Sequence, residues 1–488
     1  MTEPAEGIAR NSAYALALRL TTGLFTAALT VFLARALGPA EFGLFALAMA
    51  VVGTVKLPSD FGISQSAMRF VAERRGRPEE ATALLASALR LKLVTVTVFC
   101  VALVAVAGPV ADAYDEPGLA WALRILAVAL FAENVGMLWS GVFTALARTS
   151  LSLRVHIVAS VTETATSVAI VLVSATATAA AAGRTAGYLA GAVAAGVLMV
   201  RLLGPSAVSV RARGTGVRRM VGYAGALLVI DGAYALFQQI DVILIGAYLS
   251  ASAAGLFQAP IRLVTFLGFP AAALATAVGP RLAVGAGPQR VDAFEASLRY
   301  VTIFHALLLP PLVVWAEPLT RLILGSEYLG SAEVLRALTP FVFLSGLATV
   351  VSMAVNYLGE ARRRIPIAVS ALAANVVIDV ILIPDIGIVG GAIGTDVAFA
   401  IYVPAHLMIC RRLLGIDLRP LGVTLVRSLV AAALMAGALV PFGTSEVSVP
   451  MLVAGTLLGT LIFAAALLAT REITIGELRR LALRLRRL

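Results

Sequence analysis

The sequence predicts an all-α polytopic membrane protein with about 14 transmembrane helices, on the basis of composition, charge placement and an internal repeat. Of its 488 residues, 60% are hydrophobic and 13% are charged, and the mean hydropathy is +0.96. Soluble proteins are about 45–50% apolar and about 25% charged. A soluble chain of this composition would expose more apolar surface than it could cover, so the composition indicates a membrane protein.

About 14 stretches meet the requirement of roughly 20 predominantly apolar residues for a membrane-spanning helix. They are residues 12–34, 42–66, 84–108, 118–144, 152–175, 183–203, 221–247, 255–280, 297–316, 332–358, 364–384, 387–410, 423–443 and 448–469. No connection between them is long enough for a folded extramembrane domain. This weighs against glycosyltransferases and polymerases that need such a domain.

The basic residues predict that both termini are cytoplasmic, because short cytoplasmic loops are rich in Lys and Arg. The connections that follow odd-numbered spans hold four basic residues, whereas the termini and the other connections hold thirty. This placement explains most of the net charge of +11 without a nucleic-acid partner. Basic residues near the ends of spans, such as Lys92 and Arg184, are counted with the adjoining connections. The four that are not counted there lie inside the spans: Arg19, Lys56, Arg124 and Arg262.

The cysteines and short motifs give no support for catalysis. Cys100 and Cys410 both lie in apolar spans and the sequence has no Cys-x-x-Cys or Cys/His cluster, so we expect no disulfide or zinc framework. We see no nucleophile elbow, phosphate-binding loop or metal motif, and expect no enzyme activity, no metal and no cofactor. The first apolar run lacks a small-residue cleavage site, so we expect no signal peptide.

An internal repeat appears when the chain is shifted by 212 residues. The shift aligns Leu37 with Leu249, residues 43–45 with 255–257, Val52 with Val264, Pro58 with Pro270 and Arg69 with Arg281. Chance similarity between apolar runs is the alternative. Because six spans separate the copies, the repeat is parallel, with its two lobes related by an axis along the membrane normal.

The repeat predicts five regions along the chain. They are a first six-helix lobe at 1–204, a basic cytoplasmic linker at 205–220, a second six-helix lobe at 221–412, a further helix pair at 413–470 and a basic cytoplasmic tail at 471–488. The end of the tail has the pattern of an amphipathic helix that binds anionic lipid. A regulatory partner site is the other interpretation of the tail.

Two motifs carry a resemblance to a known family. The first comprises Leu33, Arg35, Leu37-Gly38-Pro39, Glu41-Phe42-Gly43, Asp60-Phe61-Gly62-Ile63 and Arg69–Glu73, and the second comprises Asn356, Tyr357 and Gly359 followed by Arg362–Arg364. The first resembles the start of Wzx-type polysaccharide-export flippases of the multidrug/oligosaccharidyl-lipid/polysaccharide (MOP) superfamily. The second is similar to the segment after their tenth span. The span count and the 6+6+2 organisation fit this family over the whole chain.

The resemblance implies a function in the cell membrane. Members flip polyprenyl-diphosphate-linked oligosaccharides from the cytoplasmic to the outer leaflet by alternating access, for cell-surface polysaccharide biosynthesis. The implied partners are this lipid-linked substrate, membrane lipids and polysaccharide assembly enzymes. Spans 13 and 14 would help to hold the polyprenyl tail.

Three cations inside the spans are the candidate substrate-binding residues. Arg19 and Lys56 lie at similar depth, roughly 10–12 Å from the cytoplasmic edge, and form a candidate diphosphate clamp on one lobe. Arg262 belongs to the other lobe. By resemblance, related lipid II flippases carry cavity arginines on these same three spans, although lysine replaces arginine at position 56. The alternatives are that Arg19 reaches the inner surface and that Lys56 only pairs with Asp60, one turn away.

Buried polar groups supply further candidates for a cavity or for ion coupling. The candidates are Asp60, Asp231, Asp241, Asn356 and Asp379, and other polar residues in the spans are Glu133, Glu163, Asp396, Gln238, Gln239 and Asn375. The 212-residue shift aligns Arg19 with Asp231, and we expect these two to pair across an empty cavity. For any one of these groups, hydrogen bonding between helices is an equal alternative.

Three rival functions remain open at this point. A multidrug or cation antiporter of the same superfamily usually has 12 spans and relies on acidic sites. A non-transporting scaffold for envelope-glycan enzymes would tolerate neutralisation of Arg19, Lys56 and Arg262. A membrane-embedded transferase has the least support.

Overall fold

The prediction of an all-α fold is confirmed by the computed structural model, which describes residues 7–74, 77–209, 217–284, 288–474 and 476–477. These residues form seventeen α-helices and no strand. The helices are α1 (Ile8–Asp60), α2 (Ile63–Ala72), α3 (Pro78–Ala113), α4 (Pro117–Ala145), α5 (Thr149–Val173), α6 (Ala177–Leu203), α7 (Val217–Tyr248), α8 (Ala251–Thr265), α9 (Phe269–Val284), α10 (Pro288–Val314), α11 (Ala316–Ile323), α12 (Ser331–Ala337), α13 (Thr339–Tyr357), α14 (Arg364–Ile386), α15 (Ile388–Leu414), α16 (Leu418–Leu439) and α17 (Val449–Ala469).

Within the described part of the chain, twelve helical stretches are long and apolar enough to cross a membrane. The first, Ala13–Asp60, has 48 residues, more than twice the roughly 20 residues that cross a bilayer core. It bends at Gly38, which has a φ of 69° and directly precedes Pro39. The backbone of Gly38 is not helical, so two helical arms meet there in a turn, which falls in the connection predicted between the spans 12–34 and 42–66. Counting both arms of α1 and adding α7 gives the predicted total of about 14 passes.

Some predicted boundaries differ from the observed helices. The span predicted at 255–280 is divided into α8 and α9 by a 3₁₀ turn at Phe266–Gly268. The predicted linker begins with a 3₁₀ turn at Pro205–Val208, while residues 210–216 lie outside the described residues. Residues 478–488 of the predicted amphipathic tail also lie outside them.

The contacts divide the chain into two compact units. The first comprises the described residues up to Ala259 together with Ile383–Ile388, and the second comprises the rest. In the first unit, apolar residues of α2, α3, α4 and α6 share one core. In the second, a core joins α9, α10, α13, α16 and α17. The lobe boundaries at 204, 221 and 412 stay a prediction.

Within the first unit, α1 and the start of α8 are in contact at Gly43 and Gly255, two glycines that are equivalent in the 212-residue repeat. A Cβ at Gly43 would overlap the backbone oxygen of Ala251, and a Cβ at Gly255 would overlap that of Pro39. Residues 39 and 251, like residues 43 and 255, are 212 positions apart. The contact is therefore two-fold symmetric, as expected of two equivalent helix segments that face each other across an axis.

In the second unit, both ends of the α16–α17 pair are bonded to residues in or next to α10. At one end, the indole Nε1 of Trp315 donates to the carbonyl of Gly443 at 3.1 Å. At the other, the buried carboxylate of Glu472 accepts from Arg299 at 2.9 Å, Thr424 at 2.7 Å and Arg427 at 3.2 Å. Burial raises the pKa of Glu472, but these hydrogen bonds outweigh burial and lower it. The helix pair is thus tied to the second unit.

Lys92 and Arg184, which the sequence places in connections, form ion pairs inside the helix bundle. Lys92 is fully buried in α3, and Arg184 is partly buried in α6. Both form ion pairs with acidic residues of other helices. The assignment was wrong because position near the end of an apolar stretch does not reveal whether a side chain turns towards water or towards a buried carboxylate. The predicted cytoplasmic connections still hold the excess of basic residues when Lys92 and Arg184 are left out of the count.

Candidate functional site

The polar residues at the end of α1 contact different neighbouring helices of the first unit. Lys56 and Asp60 are one turn apart, and Ser59 lies between them on the same segment. The helix ends directly afterwards, because Phe61 and Gly62 adopt left-handed conformations with φ of 49° and 66°. This short segment therefore brings polar groups of α1 to α3 and α4 inside an apolar bundle.

Lys56 forms an ion pair with Glu133 of α4. Its Nζ lies 2.5 Å from Glu133 Oε1, and the side chains of the two residues are 35% and 19% exposed. The alternative in which Lys56 pairs with Asp60 is wrong, because each residue has a different partner. The protein therefore covers this ion pair only in part.

Glu133 belongs to a longer network that links four helices. Its carboxylate also accepts a hydrogen bond from the Tyr188 hydroxyl of α6. Arg184 donates to the Tyr188 hydroxyl at 2.7 Å and to Glu163 of α5 at 2.6 Å. Lys56 and Arg184 balance Glu133 and Glu163, so the network has no net formal charge. Such pairing meets the requirement that ionisable groups in a membrane have partners.

Asp60 belongs to a second, closed cluster. It forms an ion pair with Lys92 of α3 and accepts a hydrogen bond from Ser64 of α2 at 2.6 Å. The side chains of Lys92 and Asp60 are 0% and 6% exposed. Next to them, the buried Asn134 donates to Ser59 at 3.1 Å. Asp60 thus joins α1, α2 and α3, and its burial favours a structural role over contact with a water-filled cavity.

The other candidate cations are placed separately. Arg19 is exposed on the arm of α1 before the Gly38 bend, whereas Lys56 is on the arm after it. Arg262 is partly buried on α8, in the second unit. The side chain of Asp231 lies outside the described part of the chain, so its pairing with Arg19 stays a prediction.

The candidate polar groups of the second unit have local partners. Arg364 donates to Asn356 at 2.7 Å and to the Tyr402 hydroxyl at 3.0 Å, linking the end of α13 and the start of α14 to the middle of α15. Asn375 donates to Asp379 at 3.3 Å, and both are fully buried in α14. In the first unit, Asp241 is buried in α7. These positions stay candidates for ion coupling.

The sequence indicates both acids of the four-helix network and Lys56, but not Arg184 or Tyr188. Glu133 and Glu163 were recognised as buried acids, whereas Arg184 was counted with the loops and Tyr188 was passed over. The signal that was available is the spacing of Arg184 and Tyr188, which are four residues apart and therefore share one face of a helix. No sequence spacing indicates that this face meets Glu133, which lies 51 residues before Arg184.

The protein resembles known proteins both in sequence and in fold. The chain is 22% identical over 415 residues to the "Probable low-salt glycan biosynthesis flippase Agl15" of Haloferax volcanii, and the match covers 83% of this chain and 84% of the relative. Among solved structures, "Lipid II flippase MurJ, inward closed conformation" superposes with a TM-score of 0.74 at 13% identity, covering 93% of this chain and 97% of that chain.

A second solved structure extends the likeness in fold. The "Inward-facing conformation of a multidrug resistance MATE family transporter of the MOP superfamily" has a TM-score of 0.65 at 13% identity and covers 82% of this chain and 99% of that chain. The resemblance to the MOP superfamily is therefore confirmed at the level of the fold. In addition, the model of the family described as "Polysaccharide biosynthesis protein" matches residues 8–284, more than half of the chain. This multi-pass membrane protein therefore belongs to the polysaccharide biosynthesis protein family.

Proposed function

We propose that this protein flips polyprenyl-diphosphate-linked oligosaccharide from the cytoplasmic to the outer leaflet, for cell-surface polysaccharide biosynthesis. The observation that carries this proposal is the partly exposed ion pair of Lys56 and Glu133 within a bundle of membrane helices. A Lys or Arg at the centre of a membrane helix costs about 2.5–3.5 kcal/mol on insertion scales. A cation retained at this cost, and still accessible, suits recognition of a diphosphate.

Arg19 and Arg262 complete the proposed binding residues. Arg19 is exposed on the arm of α1 before Gly38, and Lys56 lies on the arm after it. Arginine presents a planar fork that binds phosphate oxygens in pairs, whereas lysine acts as a point charge. In this proposal, the two arginines orient the diphosphate and Lys56 supplies a further positive charge.

The names of related proteins support the proposal. The Haloferax volcanii relative is named as a probable flippase of glycan biosynthesis, and the MurJ structure is titled a lipid II flippase. The relatives described above are flippases and transporters, so we propose that this protein is not an enzyme. Its membership of a polysaccharide biosynthesis family agrees with a lipid-linked glycan as cargo.

The proposal includes a location and a mode of action. The excess of basic residues in alternate connections supports cytoplasmic termini, and we assign the protein to the plasma membrane. The two repeats would alternate access by moving against each other, with the α16–α17 pair following the second unit. Asp241, Asn356 and Asp379 are the candidate coupling groups, and polysaccharide assembly enzymes are the candidate protein partners.

Export of lipid-linked glycan in living cells tests the proposal. Cells depleted of the protein are expected to retain the lipid-linked precursor on the cytoplasmic side, and wild type is expected to restore its labelling from outside. Arg19→Ala and Arg262→Ala at matched expression are expected to lower export by about tenfold or more, since each removes a phosphate ligand.

Arg124→Ala provides the matched control. Arg124 is also an arginine of a membrane helix, but its guanidinium lies 5.0 Å from the centre of the Trp121 ring. This variant is expected to export normally. Full export by Arg19→Ala and Arg262→Ala would contradict the cationic site and favour a scaffold. Normal export after depletion of the protein would contradict the proposed function itself.

A further inference from the structure

We propose that Glu133 is an internal counter-ion that occupies Lys56 when no substrate is bound, and that the diphosphate of the substrate displaces it. The inference rests on the proposed function and deepens it, because it assigns a residue that sets the affinity for the diphosphate. A carboxylate and a phosphate both present anionic oxygens to an ammonium group. Only one of them can hold the same face of Lys56 at 2.5 Å.

A comparison within the first unit shows why this ion pair can exchange partners. The pair of Lys92 and Asp60 lies one turn further along α1 and is closed, with side chains 0% and 6% exposed. The pair of Lys56 and Glu133 is open, with side chains 35% and 19% exposed. Two lysine–carboxylate pairs of the same bundle therefore differ in access. The closed pair stabilises the fold, and the open pair is reachable by a ligand.

Displacement also requires a place for the released carboxylate. A buried charge that loses its partner is strongly unfavourable. Glu133 retains the hydrogen bond from Tyr188, and the guanidinium of Arg184 attracts it electrostatically. Arg184 itself stays paired with Glu163 at 2.6 Å. The network behind Glu133 can thus hold the carboxylate when Lys56 turns to the diphosphate.

The charges favour replacement of Glu133 by the diphosphate at Lys56 while substrate is bound, and the return of Glu133 after the substrate leaves. A diphosphate carries more negative charge than one carboxylate and offers more acceptor oxygens, so it binds the ammonium more strongly. When the diphosphate leaves, Glu133 returns to Lys56. The counter-ion therefore lowers the affinity for substrate and assists its release.

Binding of a short prenyl diphosphate to the purified protein tests the inference. Geranylgeranyl diphosphate is the probe, and isothermal titration in nanodiscs gives its affinity. Glu133→Gln removes the competing charge with little change in shape, and is expected to bind about tenfold more tightly than wild type. Lys56→Gln is expected to bind about tenfold more weakly. The double variant is expected to match Lys56→Gln, because the counter-ion has no effect without its lysine.

The control is Glu41→Gln, which makes the same change of charge on α1. Glu41 accepts a hydrogen bond from the backbone of Ala177 at 2.7 Å and lies 15 residues before Lys56, about 22 Å along the helix. This distance exceeds the Debye length of about 8–10 Å, so its affinity is expected to match wild type. Glu133→Asp, which draws the carboxylate back, serves as the second variant if Glu133→Gln lowers the melting temperature, and is expected to bind more tightly than wild type.

The outcomes separate this inference from the proposed function. Binding that depends on Lys56 but is unchanged or weakened in Glu133→Gln and Glu133→Asp would overturn the role of Glu133 and leave the flippase proposal standing. An equal gain in Glu41→Gln would also overturn it, since the effect would then be one of net charge. Absence of binding in wild type and in every variant would contradict both.

Discussion

Substitution of Lys92 by methionine is expected to lower the free energy of unfolding by about 3–5 kcal/mol. The change leaves the Asp60 carboxylate buried, with Ser64 as the hydrogen-bond donor that remains to it among the contacts described above. An unpaired charge in such a place is far more costly than a lost contact at the surface. Thermal or denaturant unfolding of the purified protein in detergent measures the effect.

The double variant Asp60→Asn with Lys92→Met distinguishes charge from packing. Because it removes both charges, it is expected to recover more than half of the stability lost in Lys92→Met. Lys56→Met is the matched control, since the Lys56 side chain is 35% exposed and its removal leaves Glu133 with Tyr188 and Arg184. Equal losses in the two methionine variants, or no recovery in the double variant, would contradict the distinction between a closed and an open ion pair.

Alanine at either glycine of the symmetric contact is expected to lower the free energy of unfolding by about 1–3 kcal/mol. The added Cβ of Gly43→Ala meets the backbone of Ala251, and that of Gly255→Ala meets the backbone of Pro39. Backbone atoms inside helices cannot move aside independently, so α1 and α8 must separate. The two variants are expected to lose similar amounts, because the contact is two-fold symmetric.

Gly437→Ala is the control for the two glycine variants. It also lies inside a helix, but a Cβ there has no neighbouring atom within 4 Å. Alanine is favoured over glycine in a helix by up to about 1 kcal/mol, so this variant is expected to be neutral or slightly more stable. A loss of stability in Gly437→Ala equal to that in Gly43→Ala would show that the close helix contact is not the cause.

The fold was largely predictable because its determinants are local. Runs of about 20 apolar residues predict membrane helices whatever surrounds them. The 212-residue shift also identified a register that the structure displays in the contact of Gly43 with Ala251 and of Gly255 with Pro39. The turn at Gly38 and Pro39 falls between the first two predicted spans, 12–34 and 42–66, because Gly38 adopts a non-helical conformation there.

The partners of the buried charges were not predictable in the same way. Lys56 is four residues from Asp60, and an isolated helix favours that pair. In the bundle, Lys56 binds a carboxylate 77 residues away, and Asp60 binds an ammonium 32 residues away. Which helices are neighbours, and how each is rotated about its axis, decides these pairs. Neither the neighbours of a helix nor its rotation about its axis can be inferred from composition or from spacing along that helix.

The proposed site was anticipated in part. Lys56 was selected because a cation inside an apolar span needs a compensating role, and the structure gives it an accessible ion pair. Asp60 was selected on the same reasoning, yet it is closed off by Lys92. The sequence shows that a charge lies within a span, but exposure depends on the helices that surround it.

The most direct test of the central claim is flipping of a fluorescent polyprenyl-diphosphate-linked disaccharide in proteoliposomes that contain the purified protein. Quenching by dithionite added outside reports how much of the lipid changes leaflet. Wild type and Arg124→Ala are expected to make both leaflets accessible, whereas Lys56→Gln is expected to slow flipping by about tenfold or more. If wild-type proteoliposomes flip the lipid no faster than protein-free vesicles, or if Lys56→Gln flips it as fast as wild type, the account of a flippase with a cationic diphosphate site is contradicted.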